Sequence, residues 1–210
     1  MLDKGILISF AGIDGAGKTT QAALLCKWFE DQGYNALDMP NIPVFSDTVF
    51  DTISSCKGYM DSQELFPKAV VHFAAAIDRV RVFTAYTEKM VEQGAVMIMP
   101  EYLYCRMAAA KLAQVQNLNL LSEIYGWLPE SDIVFYMDLP SKLALEREAK
   151  RKFVEKDSYY LNKLKSCYEK LPQYSNFIRI DASKSVQEVQ NILRKHIEDY
   201  LNKKMQRKLN

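Results

Sequence analysis

The chain has 210 residues, 49% of them apolar, enough to bury a core and in keeping with one domain over 1–210. Its 27 Lys and Arg against 26 Asp and Glu leave a net charge of +1, which gives no electrostatic reason to expect nucleic acid as a partner. No apolar run approaches the ~20 residues of a membrane span, and the first residues carry no signal-peptide pattern.

The cysteines, Cys26, Cys56, Cys105 and Cys167, are scattered without C-x-x-C spacing, as expected of reduced thiols in a cytoplasmic protein. Short β-rich runs alternate with longer helical patterns, the mark of a parallel α/β architecture. Residues 5–11 (GILISFA) read as a buried strand, and a helix is predicted from Lys18 to about Gln32, stopped by Gly33. Residues 34–39 form a short second strand, with Pro40 and Pro43 in the following turn. Helical spacing runs from Gln63 to about Glu92, broken at Pro67 and stopped by Gly94. Residues 95–99 (AVMIM) are apolar throughout, as in an interior strand. Helical segments then fill 103–126, a fourth strand 132–139, and Pro140 opens the helix SKLALEREAKRK. A helix over 158–171, a fifth strand in NFIRIDAS and an amphipathic helix from Val186 to about Tyr200 complete the order, with a basic, frayed tail expected beyond.

Between the first strand and the first helix stands GIDGAGKTT, which meets the pattern G-x-x-x-x-G-K-[ST] at Gly12, Gly17, Lys18 and Thr19. Glycines let backbone N–H groups converge on phosphate oxygens, and the following helix presents its positive end. Lys18 is positioned for the β/γ-phosphates and Thr19 for Mg²⁺, which makes Gly12, Asp14, Gly15, Ala16, Gly17, Lys18, Thr19 and Thr20 the candidate nucleotide site. A guanine-specific protein would carry N-K-x-D after a late strand. The nearest match, NKLK at Asn162, ends in Lys within a helix, so a small phosphotransferase fits better than a GTPase. Arg147 and Arg151 lie four apart within a basic segment. Such a pair suits a lid over about 147–157 that neutralises charge on the transferring phosphoryl group; the alternative is a solvated helix pairing with Glu146 and Glu148.

With GIDGAGKTTQ, FAAAIDR, YMDLPSKLALER and IDASKSV in place, the chain resembles the thymidylate kinase family over almost its full length. The resemblance implies a three-layer kinase fold with a five-stranded parallel sheet, a short lid, ATP as donor with Mg²⁺, and a homodimer. It further implies that Asp14 approaches the acceptor sugar, that Arg79 holds the acceptor base, and that the turn from Asp181 to Ser183 borders the adenine. Gly15 in place of a loop arginine is similar to the subgroup whose catalytic arginine comes from the lid, here Arg151 with Arg147 beside it.

The departures cluster on the acceptor side. Where the family has Arg-x-Pro after the second strand, this chain has Asp38-Met39-Pro40, and where it has Asp-Arg-Tyr after the third, this chain has Pro100-Glu101-Tyr102. Cys105 stands at the place of a family Ser that lines the base and sugar. A carboxylate ~4 Å from a phosphate charge is disfavoured by roughly 4 kcal/mol at an effective dielectric near 20. Arg79, Arg81 and Arg106 lie in segments from which they could compensate.

Three readings therefore stand: a kinase of nucleoside monophosphates with dTMP first, a kinase of a nucleoside or other uncharged molecule with Glu101 as general base or magnesium neighbour, and a catalytically silent ATP-binding protein. Tyr102 and Tyr104 are positioned either to stack on an acceptor base or to join the core. His72 is expected to be a packed residue and Trp127 to lie beneath a loop.

Overall fold

The computed structural model describes residues 4–39, 44–150 and 157–209. Strands β1 (Ile6–Ala11), β2 (Ala36–Asp38), β3 (Val96–Met99), β4 (Ile133–Asp138) and β5 (Ile178–Asp181) form one parallel sheet in the order β2-β3-β1-β4-β5. Ile6 lies opposite Val96 and Ile8 opposite Ile133, which puts β1 at the centre. All residues of β1 and β3 are buried, as apolar strands covered on both faces must be.

The helices are α1 (Lys18–Asp31), α2 (Phe45–Cys56), α3 (Ser62–Leu65), α4 (Lys68–Val82), α5 (Glu88–Glu92), α6 (Leu103–Leu112), α7 (Leu118–Tyr125), α8 (Ser141–Lys150), α9 (Ser158–Glu169) and α10 (Val186–Leu209). Because every strand runs the same way, the carboxyl ends share one edge. The turns after β1, β3 and β5, together with Asp38 and Asp138, therefore converge where open α/β sheets bind ligands.

Three elements differ from the sequence expectation. α2 falls in a stretch to which the sequence reading assigns no element; it is fixed from a distance, by Asp78 of α4 accepting the Ser46 N–H at 2.7 Å and by the Phe50 and Phe66 rings 4.7 Å apart. The long helical stretch breaks before Lys68, as Pro67 requires, and widens to a π-turn over Phe83–Thr87 that brings both of those residues into the core. α10 continues to Leu209 rather than fraying after Tyr200. The Tyr200 hydroxyl donates to Asp132, and Lys204 reaches the Gly5 carbonyl at 3.5 Å, tying the extra turns to the base of the sheet. The turn at Pro40 and Pro43 lies outside the described residues. Among the described residues no helix is long and apolar enough to cross a membrane.

Candidate active site

The loop after β1 is clamped by its neighbours. Gly12 has φ 135°, and a Cβ there would meet the Met137 carbonyl oxygen at 2.7 Å; at Gly15, φ 75°, it would meet the Ala144 oxygen at 2.8 Å. Side chains are thus excluded by strand β4 on one side and helix α8 on the other. Asp14, between the two glycines in the chain, is half-buried. Lys18 is buried, with Nζ donating to the carbonyls of Gly12 at 2.9 Å and Ile13 at 3.1 Å. Thr19 is exposed on the first turn of α1.

A cavity of about 300 Å³ opens beside the loop. Gly15, Ala16, Gly17 and Thr20 form one wall; Ala182, Lys184, Ser185 and Val186 form the other. Arg147 joins the two walls, donating to the Gly15 carbonyl at 3.4 Å and to the Ala182 carbonyl at 3.0 Å. Its guanidinium therefore lines the cleft between the phosphate loop and the turn after β5. Ser183 is turned away: its hydroxyl and N–H both bind Asp181, at 2.5 and 3.0 Å, which holds that carboxyl below its usual range. The serine shapes the turn, and its neighbours line the cleft.

Across the loop, Arg79, Glu101, Arg106 and Tyr125 line a second crevice. Glu101 bridges two cations: one oxygen lies 2.9 Å from Arg106 and the other 3.9 Å from the Lys18 ammonium. Arg79 is half-buried with Asp47 at 3.5 Å and bonds the Tyr125 hydroxyl; burial foremost, then the Arg106 charge, lowers its pKa. A guanidinium remains charged there, so two cations face the crevice. His72, on the same side of α4 as Arg79, is pushed down in pKa by burial first and by the two arginines next, and stays neutral at pH 7.

Of the other acceptor candidates, Asp38 and Cys105 do not line this crevice and Tyr102 does. Asp38 is near Cys26 of α1, whose thiol is pushed up by burial, then by Glu30 and Asp38, and is not among the residues lining the crevice. Cys105 is buried beneath the phosphate loop, its thiol donating to the Phe10 carbonyl at 3.4 Å. Tyr102 is buried but also lines the crevice: its hydroxyl donates to the Pro129 carbonyl and its ring lies 5.7 Å from Phe83. Tyr104 packs against Phe177. Arg81 is exposed and pairs with Asp78. Trp127 is 80% exposed, not covered by a loop as expected. Arg151 and the rest of the lid to residue 156 lie outside the described residues. The negative acceptor pocket read from sequence therefore loses its basis, because Asp38 faces α1 and Glu101 is neutralised where it stands.

Sequence reasoning missed Asp47 and Tyr125 because neither belongs to a motif. Asp47 lies on the unanticipated α2, and only packing brings it to Arg79.

The profile of the family described as "Thymidylate kinase" matches residues 10–193. The chain is 31% identical over 192 residues to the probable thymidylate kinase of Pyrococcus abyssi, covering 89% of this chain and 92% of that one. It is 27% identical to probable thymidylate kinase 2 of Saccharolobus solfataricus, with 94% and 98% covered. The thymidylate kinase of Fervidobacterium nodosum shares 23% identity, with 93% of this chain and 100% of that one covered.

Proposed function

Because the chain belongs to the thymidylate kinase family, we propose that it moves the γ-phosphoryl group of ATP onto dTMP, the donor in the cleft beside Arg147 and the acceptor in the crevice of Arg79 and Arg106. The observation that carries this reading is the pair of guanidiniums facing the crevice on the other side of Lys18 from the donor cleft. Although Glu101 and Asp47 offset their charge, the two guanidiniums keep N–H donors of the kind that grip phosphate oxygens, which supports the family's phosphorylated acceptor. A silent ATP-binding protein has no use for this second site.

The phosphates bind where the loop amides and the α1 N-terminus converge, and Lys18 leaves its two carbonyls for the β/γ oxygens. Arg147 offers a planar cation against one face of the adenine. The Thr19 hydroxyl and, through water, the Glu101 carboxylate are oxygen donors of the kind Mg²⁺ prefers. Bound with the nucleotide, that ion neutralises phosphate charge during transfer. Asp14 meets the acceptor sugar, and Arg151, which the family resemblance makes the catalytic arginine, supplies the charge that stabilises the transferring group. Catalysis is then mainly alignment and charge stabilisation. One connected core over the described residues supports a single domain, free cysteines support a cytoplasmic location, and an exposed apolar stripe on α4 supports a homodimer.

Steady-state transfer from ATP to dTMP and to thymidine, measured side by side, tests the acceptor. The expected result is turnover of dTMP alone. Arg106→Gln should raise the KM for dTMP about tenfold or more, the worth of a hydrogen bond to a charged group, while leaving the KM for ATP within about twofold. Turnover of thymidine with none of dTMP would sink the reading.

A further inference from the structure

Beneath the phosphate loop lies a polar arrangement that no phosphate contact explains. Tyr168 of α9 is 2% exposed, and its hydroxyl donates to the Gly12 carbonyl at 3.2 Å. The same carbonyl accepts from the Lys18 ammonium at 2.9 Å. The neighbouring Ile13 carbonyl also has two donors, Lys18 at 3.1 Å and the Ala16 N–H at 3.3 Å. Each oxygen that Lys18 occupies therefore has a second partner. This matters because Lys18 must leave both when it turns to a phosphate, and a buried carbonyl left without a donor is disfavoured.

We propose that Tyr168 is a positioning residue for phosphoryl transfer: by holding the Gly12 carbonyl from below, it releases Lys18 to the nucleotide without orphaning the loop. The Ile13 carbonyl is secured by the backbone itself, so Tyr168 is the side-chain half of the device. Helix α9 is braced for the task. Its Asn162 meets Ser141 at 2.7 Å, and its Lys165 holds Asp138 at 2.7 Å and the Leu139 carbonyl at 3.2 Å. Asn162, Lys165 and Tyr168 recur every three residues, so one side of α9 grips the start of α8, the end of β4 and the phosphate loop together. The inference rests on the donor-site reading above.

The test is Tyr168→Phe, which removes one oxygen and keeps the ring against Tyr136, 5.5 Å away. Binding of ADP and of an unreactive ATP analogue is measured by calorimetry, and melting is followed with and without ADP. The expected result is a dissociation constant about fivefold higher, from the loss of one neutral hydrogen bond. The KM for dTMP should stay within about twofold. Melting without nucleotide should change little, because Lys18 still covers Gly12, whereas the stabilisation by saturating ADP should shrink. An unchanged dissociation constant with melting lowered equally in both conditions would mean that Tyr168 only packs, and would overturn the inference. Wild-type protein that binds neither nucleotide would overturn the donor-site reading and this inference with it.

Discussion

Asp38 ends strand β2 half-buried, with one carboxylate oxygen lacking a hydrogen-bond partner among the described residues. Burial raises its pKa above the ordinary 3.8, so the folded chain holds this proton more tightly than the unfolded one does. The sign follows from linkage: the native state is at no disadvantage while both states are protonated, and it loses stability as pH rises through the carboxylate range. Asp38→Asn should therefore raise the melting midpoint at pH 7, with the gain fading as pH is lowered toward 4. A gain that is the same at both pH values would show that ionisation is not the cause. Glu101 is a different case, because Arg106 and Lys18 compensate its charge at close range. Two acidic departures that look alike in the sequence thus have opposite consequences.

Between elements, the contact that shapes the donor cleft is a buried pair of glutamines. Gln190 of α10 is 1% exposed and donates its amide to the carbonyl and the side-chain oxygen of Gln21, at 2.8 and 2.7 Å. Gln21 in turn donates to the Val186 carbonyl at 3.1 Å, which fixes one wall of the cleft against α1. Gln190→Ala would take the donor from the buried Gln21 side-chain oxygen while its amide keeps Val186, at a cost of about 1–3 kcal/mol. The expected outcome is a lower denaturant midpoint and a higher KM for ATP. A fall in stability with ATP binding untouched would separate this pair from the site. The helix periods of α1 and α10 were legible in the sequence, but the pairing of two polar residues 169 positions apart was not. Nothing local distinguishes a buried glutamine from a surface one.

Over the whole molecule, the surface of α4 carries Val70, Ala74 and Ile77 at spacings of four and three, with Val70 46% and Ile77 57% exposed. Such a stripe is a natural seam for a second copy. Ile77→Asp should convert a dimer into a monomer by light scattering while the isolated chain keeps its melting profile. Scattering that gives one chain for the unsubstituted protein would end the dimer reading. No periodicity argument identifies this surface in advance, since an apolar residue on a helix reads as core until the fold shows it outside.

The sequence by itself determined the α/β class, the strand sequence, the phosphate loop and the kinase family, because each depends on residues near one another: glycine backbone freedom, alternating apolar runs and fixed motif spacing. It also named Arg79 and Glu101. Only the tertiary structure decided which charges share a cavity. Arg106 joins Arg79 there while Asp38 and Cys105 do not, since the direction of a side chain at a strand end is set by the helix packed against it, and the interaction of two charges depends on their separation in space rather than along the chain.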